Sequence, residues 1–228
     1  MAEKYNATNI PLEQILGYIK SGEIAIPEIQ RPFVWKPRQV RDLIDSLYIG
    51  YPTGYLIISQ SPDMKLKDGS KASGRRIMID GQQRVTALMT AIAGIEVIDA
   101  NFNKRRIKIA FNPLADPENE EELFKVQDNA ILKDRRWIPD IAEIFRPTFD
   151  LWSFVNEYCS RNAEISGSEL NKVLMRLLDI KNRQIGVITL DKELTIDEVT
   201  EIFIRINSQG AKLNQADFAM SKIAANTH

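Results

Sequence analysis

The residues with the clearest chemical potential run Ile77-Met78-Ile79-Asp80-Gly81-Gln82-Gln83-Arg84-Val85-Thr86-Ala87-Leu88. A short apolar run enters an Asp-Gly turn, and a helical pattern follows. The first turn of a helix carries backbone N–H groups without intrahelical partners and the positive end of the helix dipole. Such a junction suits a phosphate. Gly81 lets a ligand approach the backbone closely, and Arg84, one turn in, could add a bidentate phosphate contact. Asp80 is a candidate Mg²⁺ ligand, or a group that orients an attacking water. The same residues also admit a structural reading. Aspartate is a common helix N-cap, Asp-Gly is a common turn, and Gln82 and Gln83 could be exposed helix surface.

Two further segments combine polar groups with rigid surroundings. In Ile26-Pro27-Glu28-Ile29-Gln30-Arg31-Pro32-Phe33-Val34-Trp35, two prolines fix the path of the chain. Gln30 and Arg31 lie between the apolar anchors Ile29, Phe33 and Trp35, which would hold a polar pair at the floor of a cleft. Trp35 reads as core; Phe33 could be core or stack on a base. In the segment from Glu201 to Leu213, Arg205, Asn207 and Lys212 lie near a turn at Gly210. Helix capping by Asn and Gly is the structural alternative there.

The elements that must position these groups follow from periodicity. Leu12, Ile15, Leu16 and Ile19 predict a helix stopped by Gly22, and residues 24–26 a short strand. Pro37 opens a second helix that Gly50 closes. Residues 55–58 and 76–79 read as strands, with a polar loop at residues 59–74 between them. A helix is expected over residues 82–93. Strands near residues 96–99 and 106–111 are expected to form a hairpin across residues 101–104. From Pro113 helices dominate, at residues 150–160 and 168–181. A strand returns at residues 185–190, and helices follow at residues 197–206 and 215–225. The pattern is α+β: a core over residues 1–112, then a mainly helical extension over residues 113–228 that packs back on it. The last residues stop in a helical pattern without a cap, as expected of a fragment of a longer protein.

Composition narrows the function classes. Of 228 residues, 44% are hydrophobic and 27% charged, values that support an ordinary packed core. No apolar run is long enough for a membrane span, and the first residues lack a signal-peptide core. The single cysteine, Cys159, cannot form an internal disulfide, which fits the cytoplasm. The single histidine is His228, so Ser-His-Asp triads, His-Cys zinc sites and HNH-type nuclease centres lack their interior histidine. Net charge is -1, less basic than usual for a domain that holds DNA mainly by its backbone. Basic residues do cluster, as at Lys104-Arg105-Arg106 and Lys133 to Arg136; most such clusters read as solvated surface.

Together, IPEIQRPFVW, IDGQQRVTAL and FIRINSQGAKLNQADF, in that order, resemble the N-terminal domain of GmrSD-type modification-dependent restriction proteins. The resemblance implies a ParB/sulfiredoxin-like mixed-sheet core with a helical C-terminal extension. It implies binding and hydrolysis of NTP, with Mg²⁺, centred on the DGQQR motif at Asp80 to Arg84. On that reading Asp80 and Gln83 are the candidate catalytic residues, and Asp80 is also the metal ligand. Gln30, Arg31, Gly81, Gln82, Arg84, Arg205 and Asn207 are the candidate nucleotide-binding residues. The expected partners are NTP, DNA, plain or modified, in the full-length protein, and a separate C-terminal HNH-type nuclease domain, with no membrane involved. No cysteine accompanies the DGQQR segment, so the sulfinic-acid reduction of sulfiredoxins is not expected. Paired glutamines stand where ParB proteins carry an arginine-rich box, so a CTP-dependent clamp is not supported.

Three functions compete at this point. The leading one is an NTPase module that controls a nuclease, with water as nucleophile and catalysis by positioning and charge neutralisation. The second is a module that senses nucleotide or modified DNA without turnover. The third, a nuclease in its own right, ranks last because no acidic run with lysine at nuclease spacing is present. One polar pocket where Gln30, Asp80 and Asn207 meet is the expected site.

Overall fold

A computed structural model describes residues 4–26, 32–59, 76–99 and 101–207. In chain order its elements are β1 (Tyr5–Pro11), α1 (Leu12–Lys20), β2 (Ile24–Ala25), α2 (Pro37–Ile49), β3 (Leu56–Ser59), β4 (Arg76–Asp80), α3 (Gln82–Ala91), β5 (Val97–Ile98), β6 (Lys104–Arg105), β7 (Ile109–Phe111), β8 (Phe124–Val126), α4 (Ile141–Ile144), α5 (Leu151–Arg161), α6 (Gly167–Leu178), β9 (Gln184–Leu190) and α7 (Ile196–Asn207). The content is α+β, as expected. The chain divides into two units built from separated segments. The first comprises Met1–Arg31, Gly54–Gln82 and Gln184–His228; the second comprises Pro32–Thr53 and Gln83–Arg183. Residue 112, where a boundary was expected, falls inside the second unit.

The first unit is organised by a five-stranded mixed sheet in the order β1-β9-β3-β4-β2. β9 is antiparallel to β1, with Tyr5 opposite Leu190 and Pro11 opposite Gln184. It runs parallel to β3, which in turn is antiparallel to β4. A register shift between Ile57 and Ile58 places Ile57 opposite Asp80, at the end of β4 that carries the motif. Bulges of this kind re-aim a strand end. One face of the sheet buries Ile57 and Leu190 against Leu194 and Val199, with Ile79, Ile188 and Ile202 packed around them. That apolar cluster is what seats α7. Thr195 and Glu198 cap α7 reciprocally: Thr195 N–H donates to Glu198 Oε2 at 3.0 Å and Glu198 N–H to Thr195 Oγ1 at 3.3 Å. Gly186 in β9 is required by a close approach. A Cβ there would lie 2.6 Å from the Tyr55 ring, so the ring rests on bare backbone.

The second unit collects α2 to α6. Helix α2 buries Val40, Leu43, Ile44, Leu47 and Tyr48 on one stripe, and Gly50 ends it at φ 91°. The Arg183 guanidinium covers that end, Nη2 donating to the Tyr48 carbonyl at 3.2 Å. Tyr48, Phe111 and Phe124 form an aromatic cluster with centroids 5.0 to 5.7 Å apart. Arg106 pairs with Asp140 at 2.6 Å, and Asp140 caps α4 by accepting from Ala142 N–H. Burial pushes the Asp140 carboxyl up, outweighing the opposing pull of Arg106.

Two expectations change. The hairpin pairs Val97–Ile98 with Lys104–Arg105, not with residues 106–111. Ile109–Phe111 pairs instead with Phe124–Val126, a strand the helical reading of that region did not anticipate. The reason is burial: Ile109, Ala110 and Phe111 are all fully buried, which requires partners on both faces. Strand β1 was likewise not anticipated. The expected loop over residues 59–74 and helix over residues 215–225 lie, apart from Ser59, outside the described residues.

Candidate functional site

The motif is a strand–turn–helix. Ile77 and Met78 are fully buried in β4 and fix the strand, and Asp80, half-buried, is its last residue. Gly81 follows at φ 94°, a left-handed conformation that L residues resist, and its buried backbone turns the chain into α3. Helix α3 then buries Val85, Ala87, Leu88 and Ala91. Thr90, also fully buried, accepts the Ile107 N–H at 2.9 Å. These contacts fix the helix and hence the direction of its first turn.

The three long polar side chains of the motif each reach a backbone carbonyl. In the first unit, Gln82 Nε2 donates to the Met78 carbonyl at 3.1 Å, folding back along β4. In the second unit, Arg84 Nη1 donates to the Thr53 carbonyl at 2.8 Å. There too, Gln83 uses both ends of its amide. Its Oε1 accepts the Val34 N–H at 3.0 Å, and its Nε2 donates to the Pro32 carbonyl at 3.4 Å. The first and second motifs therefore meet: Gln83 holds the residues that directly follow Gln30 and Arg31 in the chain. This geometry gives Gln83, expected as a catalytic group, a positioning contact. The partners Pro32, Thr53 and Met78 were invisible in the sequence, because a backbone carbonyl leaves no residue-type signature.

Of the remaining candidates, two are carried by α7. Arg205 sits in the last turn of α7, where it pairs with Glu201 at 2.5 Å and is 77% exposed. Asn207 is the last residue of α7. Gln30 and Arg31 lie outside the described residues, so a pocket uniting Gln30, Asp80 and Asn207 does too. Among the described residues no three His, Cys, Asp or Glu side chains gather around a cation site. A single carboxylate such as Asp80 still suits Mg²⁺ that arrives with a nucleotide, since that ion is commonly held by one or two carboxylates plus the phosphates. No helix among the described residues is long and apolar enough to cross a membrane.

Comparison with known sequences agrees with the motifs. The profile of the GmrSD restriction endonuclease N-terminal domain matches residues 12–224. An uncharacterized protein of Methanocaldococcus jannaschii is 24% identical over 240 residues, covering 88% of this chain and 39% of that protein. The chain thus spans well under half the length of that curated relative.

Proposed function

Since this chain belongs to the family of GmrSD restriction endonuclease N-terminal domains, we propose that it is the NTP-binding and hydrolysing regulatory domain of a restriction protein acting on DNA. The observation that carries this reading is the junction of β4 and α3. There a buried glycine at φ 94° turns the chain between a half-buried Asp80 and the N-terminus of a ten-residue helix. The backbone N–H groups of that first turn receive phosphate oxygens, and the helix dipole favours their charge. Asp80 holds Mg²⁺ or orients the attacking water. When bound, the cation neutralises charge on the phosphates. Gln82 and Arg84 line the phosphate side, and Gln30, Arg31, Arg205 and Asn207 complete the nucleotide contacts. Gln83 acts through the Pro32–Val34 segment that it grips. The nuclease activity resides in a separate HNH-type domain, and the protein works in the cytoplasm.

Thermal unfolding of wild type, Asp80→Ala and Arg84→Ala, each with and without millimolar NTP and Mg²⁺, tests this reading. Wild type should gain about 2.7 kcal/mol at a hundredfold excess of ligand over Kd. Asp80→Ala should abolish phosphate release and keep the fold. No shift with any NTP in the wild-type protein would remove the nucleotide reading.

A second reading is favoured by one observation. Gln83 and Arg84 already bond backbone carbonyls, as expected of a sensing module whose motif braces the fold and turns nothing over. Nucleotide binding without phosphate release by the intact protein would select it.

A further inference from the structure

The hairpin of β5 and β6 displays an aromatic ring at an unusual cost. Phe102, at its tip, is 82% exposed and has φ 60°. That backbone region is disfavoured for a bulky side chain, and Gly or Asn would fill it more readily. Asn101 and Asn103 stand on either side, so the position is occupied by a residue that is unfavourable in both conformation and hydration. Such outliers persist where the surroundings over-determine them, and they cluster at functional sites.

The surroundings do over-determine it. Asp99 Oδ1 accepts the N–H groups of Asn101 at 2.9 Å and Asn103 at 3.0 Å. The Phe102 N–H donates to the Asp99 carbonyl, and the Asp99 N–H to that of Asn103, each at 3.0 Å. Arg105 Nε lies 3.8 Å from Asp99 Oδ2, and its Nη2 donates to the Trp35 carbonyl at 3.4 Å. At the base, the Phe33 N–H donates to the Ile98 carbonyl at 2.9 Å. The tip is therefore braced, with its ring outward. Ile98 and Val34, on this hairpin and on the segment bridged to it, are exposed as well.

We propose that this tip is a contact for duplex DNA, in which Phe102 stacks on or wedges beside a base and Lys104 meets a neighbouring phosphate. The proposal rests on the reading of DNA as partner and adds the surface that touches it. An apolar ring inserted at a base step meets the base face that partial unstacking uncovers, as wedge side chains do in duplex DNA. The amides of Asn101 and Asn103 supply donors and acceptors for base edges. Charge is complementary at the tip. Lys104 is exposed and Arg105 partly so, while the one carboxylate there, Asp99, is tied to backbone N–H groups and to Arg105. Glu96 precedes β5, at the end of the hairpin away from the tip.

The test uses the intact protein, a duplex carrying a fluorescent 2-aminopurine, and anisotropy across a salt series. Wild type should bind and raise the 2-aminopurine signal as the base unstacks. Phe102→Ala should bind about tenfold more weakly and lose that rise, while its salt slope stays unchanged. Lys104→Ala should reduce the slope by about 1. Phe102→Trp should retain binding, and the melting temperature of the DNA-free protein should not fall in any of the three. Equal affinity and equal signal for wild type and Phe102→Ala would overturn the proposal. So would failure of the wild-type protein to bind the duplex. The NTP-induced thermal shift, read on the same samples, shows separately whether the nucleotide reading stands.

Discussion

Replacing Gln83 tests whether the start of α3 acts as a brace for the segment after Arg31. Its bond to the Val34 N–H, at 3.0 Å, has ordinary length, whereas its bond to the Pro32 carbonyl, at 3.4 Å, is long. A neutral hydrogen bond contributes about 0.5–1.5 kcal/mol net, and the long one belongs at the bottom of that range. Val34 is 53% exposed, so water can satisfy its freed N–H and no orphan penalty applies. Gln83→Leu, which keeps side-chain length and helix propensity, should therefore lower the unfolding free energy by about 1–2 kcal/mol. For a chain of this size that corresponds to a fall of roughly 2–8 °C in Tm. Gln83→Glu separates the two bonds. It keeps the acceptor for Val34 but sets a carboxylate oxygen against the Pro32 carbonyl, so it should cost at least as much as leucine. Urea unfolding followed by circular dichroism gives the stabilities. If both variants unfold within about 0.5 kcal/mol of wild type, the range of an inert surface change, the brace does not exist. If stability falls but the NTP-induced shift is intact, the brace does not position nucleotide contacts, and the functional half of the argument fails.

Three other outcomes follow from particular contacts. Gly186→Ala should destabilise by about 1–3 kcal/mol in wild type but cost much less in a Tyr55→Ala background, because the three atoms nearest the new Cβ all belong to the ring; equal costs in a double-mutant cycle would refute the contact. Arg106→Leu leaves Asp140 buried without its cation and should cost about 3–5 kcal/mol near neutral pH. Since burial raises the folded carboxyl above its unfolded value, protonation favours the fold, so the loss should shrink as pH falls and grow as it rises; denaturation at acid and neutral pH reads the sign. Glu198 is held down to about 2, from 4.5, chiefly by Lys4 and then by Thr195. Its stabilisation is thus present above about 4.5 and lost as pH falls toward 2, and Glu198→Gln should flatten that part of the acid-unfolding curve.

Much of the fold was legible because its signals are local. Pro37 and Gly50 bound α2, and apolar spacing marked α1, α3, α5 and α6 close to their observed limits. Strand β1 was not legible: its burial pattern is exposed from Tyr5 to Asn9, and only pairing with β9, far along the chain, makes it a strand. Ile109–Phe111 carried strand propensity, but periodicity does not choose a partner, and the wrong side of the hairpin was matched. At the site, residue types identified the DGQQR segment and its turn. What Gln82, Gln83 and Arg84 touch was illegible, because each reaches a carbonyl that any residue could supply. The split into interleaved units was equally hidden, since composition does not change at Arg31, Thr53, Gln82 or Arg183.

The position of β9 between β1 and β3 has a consequence for synthesis on the ribosome. β2, β3 and β4 can associate once residue 80 has emerged, but among the described strands β1 pairs only with β9, which follows about 170 residues after it. At about 5–20 residues per second, β1 and the open edge of β3 wait roughly ten to thirty-five seconds for their shared neighbour. During that interval two strand edges are available to any other extended chain. A nascent protein stalled before residue 184 should therefore be a strong client for chaperones, and one released just after residue 190 a much weaker one.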